Sequence, residues 1–118
     1  MAAGYVPERG DIVWLRFDPQ ADHEQAGHRP ALVLSPSMYN ERRGMMLCCP
    51  ITSQVKGYPF EVLIDGPGIV GAVLADQIKC LDWKARRAKK KGQASLQVVQ
   101  EALDKLNTLL DSGSDSKK

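Results

Sequence analysis

Asp11-Ile12-Val13-Trp14-Leu15-Arg16-Phe17 decides how the rest of the chain is read. Val13, Leu15 and Phe17 recur at every second position and so share one face of a β-strand, with Trp14 on the other. Gly10 before the stretch and Asp18-Pro19 after it are turn signals. Core packing is the expected role of Trp14. Residues 18–28 then form a long polar loop, and loops of that length inside a small domain tend to be functional or mobile. The loop ends in Glu24-Gln25-Ala26-Gly27-His28-Arg29-Pro30 and meets a second strand, 31–34, bounded by Pro30 and Pro36. A carboxylate, an imidazole and a guanidinium thus stand within six residues at a loop–strand junction. A proton acceptor beside a fixed cation suits chemistry on a phosphodiester. A solvated hairpin loop would carry the same residues, and this stretch alone does not separate the two.

Further on, residues 45–52 form an apolar run interrupted by Pro50, which points to a sheet edge or bulge where Ile51-Thr52-Ser53 leaves the barrel body. Residues 54–59 read as a loop, 60–64 as a cleanly alternating fourth strand, Asp65-Gly66-Pro67-Gly68 as a turn, and 72–81 as a fifth strand. After Gly92, Ser95 is a suitable N-cap, and Leu96, Val99, Leu103, Leu106 and Leu110 recur at helical spacing. That spacing predicts an amphipathic helix over 96–110. Five short strands followed by one helix predict a mainly β chain, a barrel-like sheet capped by that helix. Residues 1–110 make one domain, and the Asp-, Ser-, Gly- and Lys-only segment 111–118 reads as a disordered tail.

Composition narrows the function classes. With 25% charged and 43% hydrophobic residues, the chain has the profile of an ordinary globular domain. No apolar run approaches the roughly 20 residues of a membrane helix, and the N-terminus lacks the form of a signal peptide, so the cytoplasm is expected. Cys48, Cys49 and Cys80 have neither disulfide-framework nor zinc spacing and read as buried apolar thiols. His23, Glu24 and His28 match no helical ligand pair, so no metal is expected. The net charge of +2 hides a concentration: residues 79–91 hold seven basic groups against Asp82 alone. Such a segment suits a phosphate backbone, and a solvated basic loop would look the same.

In order along the chain, Tyr5-Val6-Pro7, Gly10-Asp11-Ile12-Val13-Trp14, Phe17-Asp18-Pro19, and the stretch 24–31 resemble the MazF/PemK-type toxins, the endoribonuclease halves of bacterial toxin–antitoxin pairs. The resemblance continues through Val33-Leu34-Ser35-Pro36, Met38-Tyr39-Asn40, Pro50-Ile51-Thr52, Lys56-Gly57-Tyr58-Pro59-Phe60-Glu61-Val62 and Leu74-Ala75-Asp76-Gln77. It covers residues 5 to about 110, and the Lys-Gly-Tyr-Pro-Phe loop places it in the MazF branch. It departs at 20–23, 41–43 and 67–70, of which the first bears on the RNA sequence recognised.

What the resemblance implies is specific. The fold is a small SH3-like β-barrel, usually a homodimer. The activity is metal-independent, cofactor-free, ribosome-independent cleavage of single-stranded RNA at short motifs, leaving a 2′,3′-cyclic phosphate and a 5′-hydroxyl. The partner is a MazE-like antitoxin whose acidic disordered tail lies across the dimer, in a heterohexamer-type assembly. Arg29 matches the catalytic arginine, Thr52 the catalytic threonine, and Glu24 a position assigned here as general base. His28 rivals Glu24 for proton transfer; as Arg29's neighbour on a strand it is expected to face the other way and to contact RNA instead. Lys56 and Lys79 are expected on phosphates, Gln77 on a base edge, and Arg86 as an extension of the basic surface. Two other readings stand beside this one. A gyrase-poisoning toxin of the same fold would lack the arginine and threonine, and a non-catalytic RNA-binding regulator would keep the groove without the activity.

Overall fold

A computed structural model describes residues 4–16, 28–66 and 69–111. Strand β1 (Asp11–Arg16) pairs antiparallel with β2 (His28–Val33), Trp14 standing opposite Pro30 and Leu15 opposite Arg29. After helix α1 (Ser37–Arg43) come β3 (Met46–Thr52), β4 (Glu61–Gly66), β5 (Ile69–Leu74), β6 (Lys79–Leu81), β7 (Lys89–Gln93) and helix α2 (Leu96–Leu110). Neighbouring strands run in the order β4-β5-β3-β2-β1-β7, with β6 also on β3. The described residues thus hold seven strands and two α-helices where the sequence predicted five and one. The mainly β, curled half-barrel with a C-terminal helix is as expected.

The extra elements have identifiable causes. The predicted fifth strand is two strands, β5 and β6, separated by a 3₁₀ turn at Ala75–Gln77. Both pair with β3, and the register against it slips by the three residues of that turn. The basic segment is only partly a turn: Lys79–Leu81 is β6 and Lys89–Gln93 an edge strand on β1, with Lys84, Arg86 and Arg87 on the turn between them. Lysines on an exposed edge discourage pairing with another chain, which gives those charges a structural use as well. Helix α1 has only seven residues and ends at Gly44, whose left-handed φ of 67° closes the C-cap.

Two apolar clusters lie on opposite faces of the central strands. Ile12, Leu32, Cys49, Ile51, Val62 and Val73 meet Val99, Ala102 and Leu106 of α2. Helix α2 occupies the predicted 96–110, and Ser95 Oγ accepts from Val98 N–H at 3.2 Å. On the other face, Val13, Leu15, Ala31, Val33, Met46 and Cys48 pack with Leu81 and Trp83. Each large side chain buried this way contributes about 1.5–3 kcal/mol. The Trp83 indole N–H donates to the carbonyl of Asn40, 2.9 Å away. Asn40, itself fully buried, donates through Nδ2 to the carbonyls of Pro7 and Ser35, tying the N-terminal segment to α1.

Two expectations are corrected. Trp14 is not core: it is 37% exposed, because its face of β1 continues past the apolar cluster toward β7. Cys48 and Cys49 are buried, but Cys80 is exposed on β6, its sulfur 4.0 Å from the Tyr39 hydroxyl.

Candidate active site

Pro50 does not leave the sheet; it is the last β3 residue paired with β2, while on the other side of β3 the neighbour passes from β6 to β5. Up to Ala31↔Pro50, β3 pairs with β2; from Ile51↔Val73 it pairs with β5. Pro30 and Pro50 each lack an N–H, so neither strand can offer a full ladder there. Two register steps further would bring Arg29 opposite Thr52, and β2–β3 pairing stops short of it. Alternation places Arg29 with Ala31 and Val33, and Thr52 with Pro50 and Cys48, on one shared face.

The space opened between the strands is a cavity of about 520 Å³ lined by Arg29, Pro30, Ile51, Thr52, Ser53, Gln54, Ile69, Val70 and Lys91. Arg29 is the second residue of β2 and is exposed. Among the described residues its guanidinium has no hydrogen-bond or ion-pair partner, so its fork remains available to an oxyanion. Thr52 Oγ1 accepts from Gln54 N–H at 3.0 Å, which occupies one lone pair and leaves its own proton to donate.

Thr52 and Gln54 also line a second cavity of about 250 Å³ with Lys56, Tyr58, Glu61, Leu74 and Gln77. The 3₁₀ turn between β5 and β6 carries Gln77 to this wall. Of the residues expected to bind RNA, Lys56 and Gln77 therefore line a cavity that shares Thr52 and Gln54 with the one lined by Arg29. Lys79 and Arg86 do not line either cavity; both lie near Cys48, toward β6. Arg86 donates through Nη1 to the carbonyl of Arg16 at 3.1 Å, clamping the end of β1. Glu24 and His23 fall outside the described residues.

His28 faces away from Arg29, as expected of adjacent strand residues. Its ring stacks on Trp14, with centroids 6.0 Å apart and planes 14° from parallel. Its Nδ1 is buried without a partner among the described residues. Lys91 Nζ sits over the Trp14 ring, 5.5 Å from its centroid. The β1–β7 register breaks between Ile12↔Gly92 and Val13↔Lys90, which makes Lys91 the unpaired bulge residue. Bulges re-aim side chains, and this one aims a cation at the larger cavity. Sequence reasoning missed Lys91 as a site residue, because inside a run of lysines nothing distinguishes the one that is bulged.

Among the described residues, no cluster of three or more His, Cys, Asp or Glu is placed to hold a metal ion, and no helix is long and apolar enough to cross a membrane.

An open groove offering a guanidinium, a hydroxyl proton, two ammonium groups and a side-chain amide, on a small curled sheet, defines a protein that engages a phosphate-bearing chain. The chain belongs to the PemK-like, MazF-like toxin family of type II toxin–antitoxin systems, whose profile matches residues 8–110. It is 52% identical to the endoribonuclease toxin MazF of Escherichia coli (strain K12), over 93% of this chain and 99% of that protein. The crystal structure of MazF from Deinococcus radiodurans superposes with a TM-score of 0.83 at 52% identity, covering 92% of this chain and 99% of that one. A MazE–MazF complex from the same organism matches at TM-score 0.81 and 47% identity, covering 91% of this chain and 97% of that one.

Proposed function

We propose that the chain is the endoribonuclease toxin of a toxin–antitoxin pair and cuts single-stranded RNA through its substrate's own 2′-hydroxyl. The observation that carries this is the shared cavity of Arg29 and Thr52, beside the 52% identity to a MazF endoribonuclease over nearly the whole chain. Arg29 grips two non-bridging oxygens of the scissile phosphate and offsets the charge that builds on the phosphorane. Thr52 donates its hydroxyl proton to one of the same oxygens. Glu24 takes the 2′-hydroxyl proton as general base. Attack on phosphorus breaks the bond to the 5′-oxygen, which takes up a proton from water, leaving a 2′,3′-cyclic phosphate and a 5′-hydroxyl. Because the nucleophile belongs to the ribose, no metal or cofactor is required.

Lys56 and Lys91 hold phosphates flanking the cut, and Gln77 reads a base edge. Lys79 and Arg86 extend the basic surface toward β6, and His28 contacts RNA from the Trp14 side. The substrate is unpaired, since base edges in an A-form duplex are hard for side chains to reach. The toxin works in the bacterial cytoplasm as a homodimer, inhibits translation by cutting mRNA, and is held in check by a MazE-like antitoxin with an acidic tail. The filled Arg29 and Thr52 positions favour this reading over a gyrase-poisoning toxin of the same fold. The test is incubation of pure protein with a fluorogenic single-stranded RNA in EDTA, followed by end-group analysis. Cleavage with cyclic-phosphate ends is expected; intact RNA, or 5′-phosphate ends, would reject the mechanism.

A further inference from the structure

One carboxylate sits where a polyanion-binding groove should least tolerate it. Glu61 opens β4 and lines the smaller cavity together with Thr52, Lys56 and Gln77. Its charge is already engaged. Oε1 accepts from the backbone N–H of Gly57 at 3.0 Å and of Tyr58 at 3.2 Å, and Oε2 accepts from Lys56 N–H at 3.1 Å. Three consecutive N–H groups converging on one anion form a backbone nest, a concavity built to hold negative charge. Gly57 supplies the bend that makes it possible, with φ of 81° in the left-handed region. The loop closes behind the nest through Glu61 N–H to the Tyr58 carbonyl at 3.1 Å, and Lys105 of α2 donates to the Pro59 carbonyl.

We propose that Glu61 is a positioning residue: its carboxylate, seated in the 56–58 nest, sets the loop conformation that presents Lys56 to RNA across from Thr52. The inference rests on the RNA-groove reading above and adds the device that shapes one wall of it. Without the carboxylate the three N–H dipoles lose their common focus, and the loop must be ordered by the substrate itself, a cost that appears in binding. Thr52 lines this cavity too, but its hydroxyl oxygen accepts from Gln54 N–H and Arg29 lies in the larger cavity, so the chemistry does not run through the nest.

This makes a prediction of unusual sign. Removing a negative charge beside a polyanion should tighten binding if Glu61 acts only through its charge, and should weaken it if Glu61 acts through the loop. The experiment is steady-state cleavage of a fluorogenic single-stranded RNA by the wild type, Glu61→Gln, Gly57→Ala and Lys56→Ala, with thermal unfolding confirming that each is folded. Glu61→Gln should raise KM about tenfold with kcat little changed. Gly57→Ala should do the same while keeping the carboxylate. A Cβ at 57 meets no atom within 4 Å, so that variant perturbs only the backbone conformation. It also decides the matter alone if Glu61→Gln fails to fold. If Glu61→Gln lowers KM, leaves it unchanged, or loses kcat alone, while Lys56→Ala raises KM, the groove stands and the positioning role falls. If none of the three variants moves KM, the loop is not part of the RNA site, and both ideas fall together.

Discussion

Arg29 on β2 and Thr52 on β3 stand on the same face, two register steps past the last pair these strands make, and line one cavity. The wedge between them exists because β2–β3 pairing ends at Ala31↔Pro50, while β3 continues beside β5 on its other side. The site therefore sits where strand pairing stops, between two prolines.

Arg29→Ala should lower turnover by about two to three orders of magnitude, the usual cost of losing one transition-state donor. The side chain is exposed and supports no packing, so thermal unfolding should be close to that of the wild type. Thr52→Ala should lose less, since a neutral hydroxyl donates more weakly than a guanidinium. Circular dichroism with single-turnover cleavage checks both; a collapsed fold in Arg29→Ala would mean the residue is structural.

Gly71→Ala should damage both stability and cleavage. A Cβ at 71 would lie 2.3 Å from the Thr52 carbonyl oxygen and 3.1 Å from its carbonyl carbon, so β5 and β3 would have to separate at the site itself. A loss of about 1–3 kcal/mol in denaturant unfolding is expected, with a drop in kcat beyond what the lost folded fraction explains. Wild-type kcat in the folded variant would show that Thr52 tolerates displacement.

Much of this was legible in the sequence. The 11–16 strand and the helix at 96–110 with its Ser95 cap follow from strong periodicity and unambiguous end signals. Arg29 and Thr52 follow from the family motif, yet no residue pattern could reveal that they line one cavity, because that depends on the register between two strands far apart in sequence. Strand β7 was hidden because Lys89-Lys90-Lys91 has no apolar alternation; edge strands with one solvated side need none. Core packing is expected of Trp14, whereas its position beside the β7 bulge leaves it partly exposed, stacked on His28 and with Lys91 over its ring.

Lys79→Ala should weaken RNA binding and reduce the slope of log K against log salt by a fraction of one to about one unit, the signature of one released counterion. Lys91→Ala should behave alike, from the larger cavity. Fluorescence anisotropy on a non-cleavable RNA across salt concentrations measures both. An unchanged slope for Lys79→Ala would mean that the basic surface at β6 takes no part in RNA binding.

The thiols give a pH signature. Burial pushes Cys48 and Cys49 up to about 12, from an ordinary value near 9. Above about pH 9 the unfolded chain therefore sheds these protons while the folded chain keeps them, so stability falls with rising pH, by up to about 1.4 kcal/mol per unit for each thiol. Burial, with the hydrogen bond to Asp11, raises Tyr5 too, and deepens the fall at higher pH. Denaturant midpoints should drop steadily above about pH 9 and be flat just below it. In the native protein a thiol reagent should reach Cys80 alone; rapid labelling of Cys48 or Cys49 would contradict their burial.

The most direct test of the central claim is a double-mutant cycle on single-turnover RNA cleavage with Arg29→Ala, Thr52→Ala and the combined variant. If both groups act on one phosphorane, each single loss is large and the combined loss is clearly less than their product. Wild-type cleavage by Arg29→Ala, or losses that multiply in full as for independent sites, would contradict it.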